Sequence, residues 1–133
     1  MLRQFIDFAV KGDDKGFLIS LESFKNIPFN IKRVYYIFGT LENVRRGFHA
    51  HYKIEQIAVC IKGSCKFLLD DGKIKDIVTL NNNHTGLVIP PMIWHEMFDF
   101  SPDCVLMVLA NDYYYESDYI RNYNDFIKLA NKL

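Results

Sequence analysis

Phe67-Leu68-Leu69-Asp70-Asp71-Gly72-Lys73-Ile74 is the stretch that decides the fold. Asp-Gly between two apolar runs favours a tight turn with positive φ, the kind that joins neighbouring antiparallel strands. The same grammar repeats in both directions. Upstream, Lys62-Gly63 closes a turn between the runs Ile54–Ile61 and Ser64–Leu69. Downstream, Lys73–Leu80 and Gly86–Ile89 flank the polar segment Asn81-Asn82-Asn83-His84-Thr85, which makes His84 a loop residue. Pro90-Pro91 has no N–H to give a ladder and marks a corner before Trp94–Phe98. Further strands are predicted at Arg3–Phe8, Gly16–Phe24, Ile31–Phe38, Phe48–His51 and Cys104–Ala110. Short apolar runs with turn signals roughly every 8 to 12 residues describe an all-β sandwich or barrel.

The tail changes period. Tyr119, Ile120, Tyr123, Phe126, Ile127 and Ala130 recur at helical spacing. Ser117 suits an N-cap and Asp118 the positive end of the helix dipole. One C-terminal helix over about 117–131 is therefore expected, packed on a barrel over about 1–111, within a single domain spanning 1–133. Its apolar stripe reads as a packing surface.

Half of the 133 residues are hydrophobic, enough for one core, and 11 Phe, 8 Tyr and 1 Trp can wall a cavity. Sixteen basic residues balance 16 acidic ones, which argues against a general nucleic-acid binder and against an electrostatically held membrane protein. No apolar run approaches the ~18 residues of a membrane helix, and the N-terminal residues do not read as a signal peptide. Cys60, Cys65 and Cys104 are odd in number and lack CxxC spacing, so they are expected as free, buried thiols in a reducing cytoplasm.

Chemistry concentrates in Arg45-Arg46-Gly47-Phe48-His49-Ala50-His51-Tyr52-Lys53-Ile54-Glu55-Gln56. On an extended strand His49 and His51 share a face, ~6.6 Å apart at ~3.3 Å per residue. Phe48 and Ala50 then form the opposite, apolar face. Two imidazoles so placed either address neighbouring atoms of one bound molecule or chelate one ion. Only four histidines occur in the chain, and two of them fall within three residues.

His49-x-His51-x-x-x-Glu55 followed by Gly63 resembles the first cupin motif; Gly86, Pro90-Pro91 and His95 loosely resemble the second. The likeness extends to Ile31-Lys32-Arg33-Val34-Tyr35-Tyr36-Ile37-Phe38, Gly63-Ser64, Leu69-Asp70-Asp71-Gly72, Trp94-His95-Glu96-Met97 and Asp118-Tyr119-Ile120-Arg121. Together these stretches resemble the sugar 3,4-ketoisomerases, which act on dTDP-4-oxo-6-deoxyglucose in bacterial surface-polysaccharide pathways. The resemblance implies a cupin-type double-stranded β-helix (a jelly-roll barrel), a homodimer, a cytoplasmic enzyme and no metal cofactor. By motif, His49 and His51 match the family's histidine pair and Tyr35 its strand tyrosine. Lys15, in Asp14-Lys15-Gly16, stands where family members often carry Arg, and Lys offers a point charge in place of a fork.

The metal question has its own logic. His49, His51, Glu55 and His95 would make a complete nitrogen-and-oxygen ligand set. Against it, Met92-Ile93-Trp94 replaces the usual Gly before the second motif's histidine. Proton transfer beside a ketone also needs no Lewis acid if hydrogen-bond donors hold the enediolate. The expected reaction is histidine acid/base chemistry, with His49 as principal base and His51 as its partner. Tyr35 shares parity with Arg33 on its strand, so both are expected in the cavity, with Tyr36 turned into packing. Arg33 and Arg46 are the expected diphosphate ligands, and His95 the residue near C4. The C4 configuration of the product stays open, with His95 and Lys15 leaning towards the axial one. A 3,5-epimerase or a non-catalytic sugar-binding cupin are the competing readings.

Overall fold

Alternation places the core. In the computed structural model, which describes residues 1–133, twelve strands, one 3-10 turn and one helix follow in order. The strands are β1 (Phe5–Asp7), β2 (Lys11–Asp13), β3 (Gly16–Leu18), β4 (Arg33–Ile37), β5 (Arg46–His51) and β6 (Gln56–Lys62). They continue with β7 (Cys65–Asp70), β8 (Lys75–Leu80), β9 (Thr85–Ile89), β10 (Trp94–Phe98), β11 (Val105–Ala110) and β12 (Tyr119–Ile120); helix α1 covers Tyr123–Ala130. Two five-stranded sheets result, ordered β1-β9-β6-β11-β4 and β12-β5-β10-β7-β8, with all pairings antiparallel.

Every second residue of the strands turns inward. Ala58, Cys60, Leu87, Leu106 and Val108 from the first sheet meet Phe67, Leu69, Val78, Leu80 and Met97 from the second. This is the jelly-roll barrel that the turn signals and the resemblance predict. Gly63, at positive φ, closes the β6–β7 turn as expected, and Pro90-Pro91 separates β9 from β10. The Asp71-Gly72 turn is longer than its dipeptide suggests. Residues 71–74 make the loop, and the Asp71 carboxylate accepts the N–H groups of Lys73 and Ile74.

Three expectations are corrected. The helix starts at Tyr123, not near Ser117, and its N-cap is Asn122, whose side chain accepts the Asp125 N–H. Tyr119 and Ile120 are drawn into β12 by pairing with His51 and Ala50, so they serve the sheet and not the helix stripe. The Gly16–Phe24 strand shrinks to Gly16–Leu18, because Lys11–Asp13 folds back on it as a separate two-stranded hairpin. Residues beyond it pack Ile27 and Phe29 onto Ile57, Val59 and Leu109, covering part of the first sheet's outer face. The third correction is Tyr36, which is 63% exposed; with Val34 and, just past the strand, Phe38 it leaves an uncovered apolar row along β4 and its end.

Helix α1 closes the other side. Phe126 and Ala130 pack with Ala50, Trp94 and Ile120 outside the second sheet. Tyr123 donates its hydroxyl to Asp70 at 2.6 Å, tying the helix to the end of β7.

Candidate active site

A bulge aims the first histidine. In the β5–β10 ladder His95 opposes His49 while Glu96 opposes Gly47, so Phe48 is an extra residue. Gly47 and Phe48 both take positive φ, 92° and 60°. A side chain at Gly47 would lie 2.8 Å from the His95 carbonyl, so glycine is demanded by space as well as by φ. The bulge also turns Phe48 out to line the cavity, correcting its expected place on the buried face; Ala50 does lie buried there.

The cavity measures about 540 Å³ and opens between the two sheets. Arg33, Tyr35 and Ile37 of β4 form one wall, and Arg46, Gly47, Phe48 and His49 of β5 another. Met97, Tyr114, Tyr119 and Arg121 complete it. His51 and His95 lie behind His49, each 2% exposed, with ring centroids 5.1 and 4.5 Å from the His49 ring.

The hydrogen bonds set the tautomers. Nδ1 of His49 meets the Gly47 carbonyl at 3.1 Å, and Nδ1 of His95 meets the Ile93 carbonyl at 3.1 Å. Nδ1 of His51 meets Oδ2 of Asp118 at 3.2 Å. Each acceptor requires a proton on Nδ1, which leaves a lone pair on Nε2 of all three neutral rings. Nε2 of His49 and of His51 is buried without a partner. Burial first, and His51 second, lowers His49 to about 4. Burial, then His49, lowers His95 to about 3. Burial also lowers His51, with Asp118 opposing. The three rings are thus neutral at physiological pH and able to accept protons.

Asp118 is a site neighbour that the sequence reading named in a resembling stretch but gave no role beyond a helix charge. Its carboxylate accepts the N–H groups of Lys53 and Ile54 at 3.0 and 3.1 Å besides meeting His51. Glu55, the carboxylate of the possible ligand set, is absent from the group of ligand-type side chains around the site, which comprises His49, His51 and His95. Ring nitrogens of those three lie within 4.8 Å of one another, so they are the residues that would hold a metal, with no carboxylate among them.

Gln56 is a second addition. Buried at 1% exposure, it donates from Nε2 to the Tyr35 hydroxyl at 3.1 Å. With that oxygen already accepting, the Tyr35 O–H is free to donate into the cavity. Burial, then Tyr119, raises Tyr35 to about 12, which keeps it protonated. Tyr119 packs its ring 4.8 Å from His49 and 4.4 Å from His51. Over it lies Arg121, 4.2 Å from the ring centroid and forked onto Glu116 by bonds of 2.6 and 2.9 Å. Tyr114 also bonds Glu116. The signal for this roof was present in Asp118-Tyr119-Ile120-Arg121, but helical periodicity obscured it.

Among the expected cations, Arg33 and Arg46 line the cavity. Nε and Nη2 of Arg33 are buried without partners, between the rings of Tyr35 and Tyr114. Arg45 is engaged elsewhere, with Glu96 at 2.7 Å and Phe98. Lys15 is the exception: it sits in the exposed turn of the β2–β3 hairpin, outside the cavity lining, with its N–H held by Asp13.

Known proteins share this fold. The family model described as "FdtA: WxcM-like, C-terminal" matches residues 1–131. A TDP-4-oxo-6-deoxy-alpha-D-glucose-3,4-oxoisomerase from Aneurinibacillus thermoaerophilus is 53% identical over 133 residues, which is all of this chain and 96% of the relative. The sugar 3,4-ketoisomerase QdtA from Thermoanaerobacterium thermosaccharolyticum, solved with TDP, superposes with a TM-score of 0.97 at 45% identity, covering 99% of this chain and 98% of that one. A mutant of QdtA, solved with TDP-4-keto-6-deoxyglucose, gives 0.95 at 44% identity over 98% and 94% of the two chains. On this match across nearly its full length, the chain belongs to the FdtA family of sugar 3,4-ketoisomerases.

Proposed function

We propose that the protein moves the keto group of dTDP-4-oxo-6-deoxyglucose from C4 to C3 through an enediol, using histidines and no metal. The observation that carries this reading is the unpartnered Nε2 of His49, on a neutral ring in the cavity wall and backed by His51 and Asp118. His49 is the principal base because its ring lines the cavity, whereas His51 lies behind it.

The chemistry balances without an oxidant. The C4 carbonyl acidifies the C3 hydrogen. Nε2 of His49 takes that proton, and the electron pair of the C3–H bond becomes the C3–C4 double bond of an enediolate. The charge on O4 is met by the Tyr35 hydroxyl. The His49 proton then returns to C4, and the O3 proton passes to O4, leaving the ketone at C3. His51, held by Asp118, is the partner that relays and stabilises protons next to His49. Arg33 and Arg46 hold the diphosphate, Arg33 with two buried donors that have no protein partner. His95 lies behind His49, on the side proposed for C4.

The product is destined for a deoxyamino sugar of a surface polysaccharide, and the enzyme works in the cytoplasm as a homodimer. The dimer is supported by the exposed apolar row of β4 and by Phe17 and Leu18 on the hairpin, 79% and 59% exposed. Within the single chain, β1 pairs with β9. Lys15, remote from its own cavity lining, joins a substrate site only if a second copy carries it there.

Incubation with dTDP-4-oxo-6-deoxyglucose, followed by NMR, should show the carbonyl at C3. A carbonyl still at C4 beside inverted neighbours would point to an epimerase instead. His49→Asn and His51→Asn, each checked for folding, should lose turnover and exchange of the C3 hydrogen with deuterated water. Near wild-type exchange in both variants, or stoichiometric metal that tracks with activity, would overturn the mechanism.

A further inference from the structure

The chain's whole cysteine complement, three residues from three separate elements, meets at one point. Cys60 comes from β6, Cys65 opens β7 across the tight turn, and Cys104 precedes β11. They are 1%, 1% and 3% exposed, and no disulfide joins them. The three sulfurs lie within 4.8 Å of one another, with Cys60 and Cys104 at 3.9 Å. Cys60 also donates its S–H to the Lys62 carbonyl at 3.3 Å.

These distances are those of a thiolate metal site before it closes. Sulfurs bound at ~2.3 Å to one zinc-sized ion stand roughly 3.8 to 4.0 Å apart in tetrahedral or trigonal geometry. One pair is already at that spacing, and the others need to move by less than about 1 Å. The trio is separate from the histidines. Cys60 lies four residues along β6 from Gln56, ~13 Å at strand rise. It is also close to the surface. Gly63, in the β6–β7 turn, packs against Ser101, Asp103 and Cys104, and the Ser101 hydroxyl donates to the Asp103 carboxylate at 2.7 Å.

We propose that Cys60, Cys65 and Cys104 form a binding site for one soft closed-shell cation of the zinc, cadmium and copper(I) class. Thiolate sulfur selects such ions over magnesium or calcium. Binding replaces three S–H protons by one ion, so protons are released. Three thiolates around a divalent ion leave one net negative charge. The ion would join the β6–β7 turn to the segment before β11.

The test uses the intact reduced chain under anaerobic conditions, titrated with cadmium chloride. A sulfur-to-cadmium charge-transfer band should rise and saturate at one equivalent, with proton release. Cys60→Ala, Cys65→Ala and Cys104→Ala should each lose most of that band. X-ray absorption at the cadmium edge of the loaded wild type should count three sulfurs, a readout independent of whether the variants fold. No band, a band untouched by all three substitutions, or a coordination shell of nitrogen with one sulfur or none would overturn the site.

Discussion

His49 and His51 are neutral for a physical reason, and that reason predicts a pH response. Burial lowers His49 from 6.5 to about 4 and His95 to about 3. Between those values and 6.5 the unfolded chain binds protons that the native chain does not. Stability therefore rises with pH across this window and falls as the medium is acidified towards 4 and then 3. Urea midpoints measured from pH 7 down to 3 should decline most steeply there. The acid limb of turnover should likewise lie well below 6.5, because the base stays unprotonated down to about 4. Asp118 is tested at the same scale. Asp118→Asn keeps an acceptor for one backbone N–H but removes the charge beside His51. Turnover should drop by about 10²-fold, with KM for the nucleotide-sugar little changed. A loss confined to KM would show that Asp118 shapes the cavity and does not support the proton transfer.

At the scale of elements, the bulge in β5 and the late start of α1 mark what the sequence hid. Gly47→Ala must place a methyl group 2.8 Å from the His95 carbonyl at φ 92°. A cost of about 1–3 kcal/mol is expected from the strain, seen as a lower urea midpoint together with misplacement of His49 and loss of turnover. Phe126→Ala should cost about 3–5 kcal/mol, since Phe126 is fully buried against Ala50, Trp94 and Ile120. The strands were legible because Asp71-Gly72, Lys62-Gly63 and Pro90-Pro91 punctuate apolar runs. His49 and His51 were legible because two positions on a strand share a face. The bulge was not, since Gly47-Phe48 announces it only through a partner strand distant in sequence. Asp118 and Tyr119 were misread for a related reason. Tyr119, Ile120 and Tyr123 fit a helix locally, and long-range pairing with β5 outweighs that preference.

For the whole molecule, the uncovered apolar surface is the feature that needs a partner. Val34 and Tyr36 on β4 and Phe38 just after it are 52%, 63% and 66% exposed, and the β2–β3 hairpin pairs with no other strand. Light scattering should give twice the 15.6 kDa chain mass, and Tyr36→Glu should shift the protein towards monomer by placing a charge in an apolar contact. A wild-type monomer at micromolar concentration would remove the dimer from the reading. The two readily legible quantities, balanced charge and abundant aromatics, anticipated a walled cavity but not which outer face stays bare. That depends on how residues 19–31 wrap the first sheet, and their sequence gives no periodic cue.

Asp118 directly precedes Tyr119 of the cavity roof and, through one carboxylate, anchors the chain at Lys53 and Ile54 and grips His51. Shelter and reactivity are therefore switched on together. On the proposed mechanism, a molecule whose roof had peeled away would also leave the inner imidazole unsupported, so an open site would be a poor catalyst towards passing carbonyl compounds.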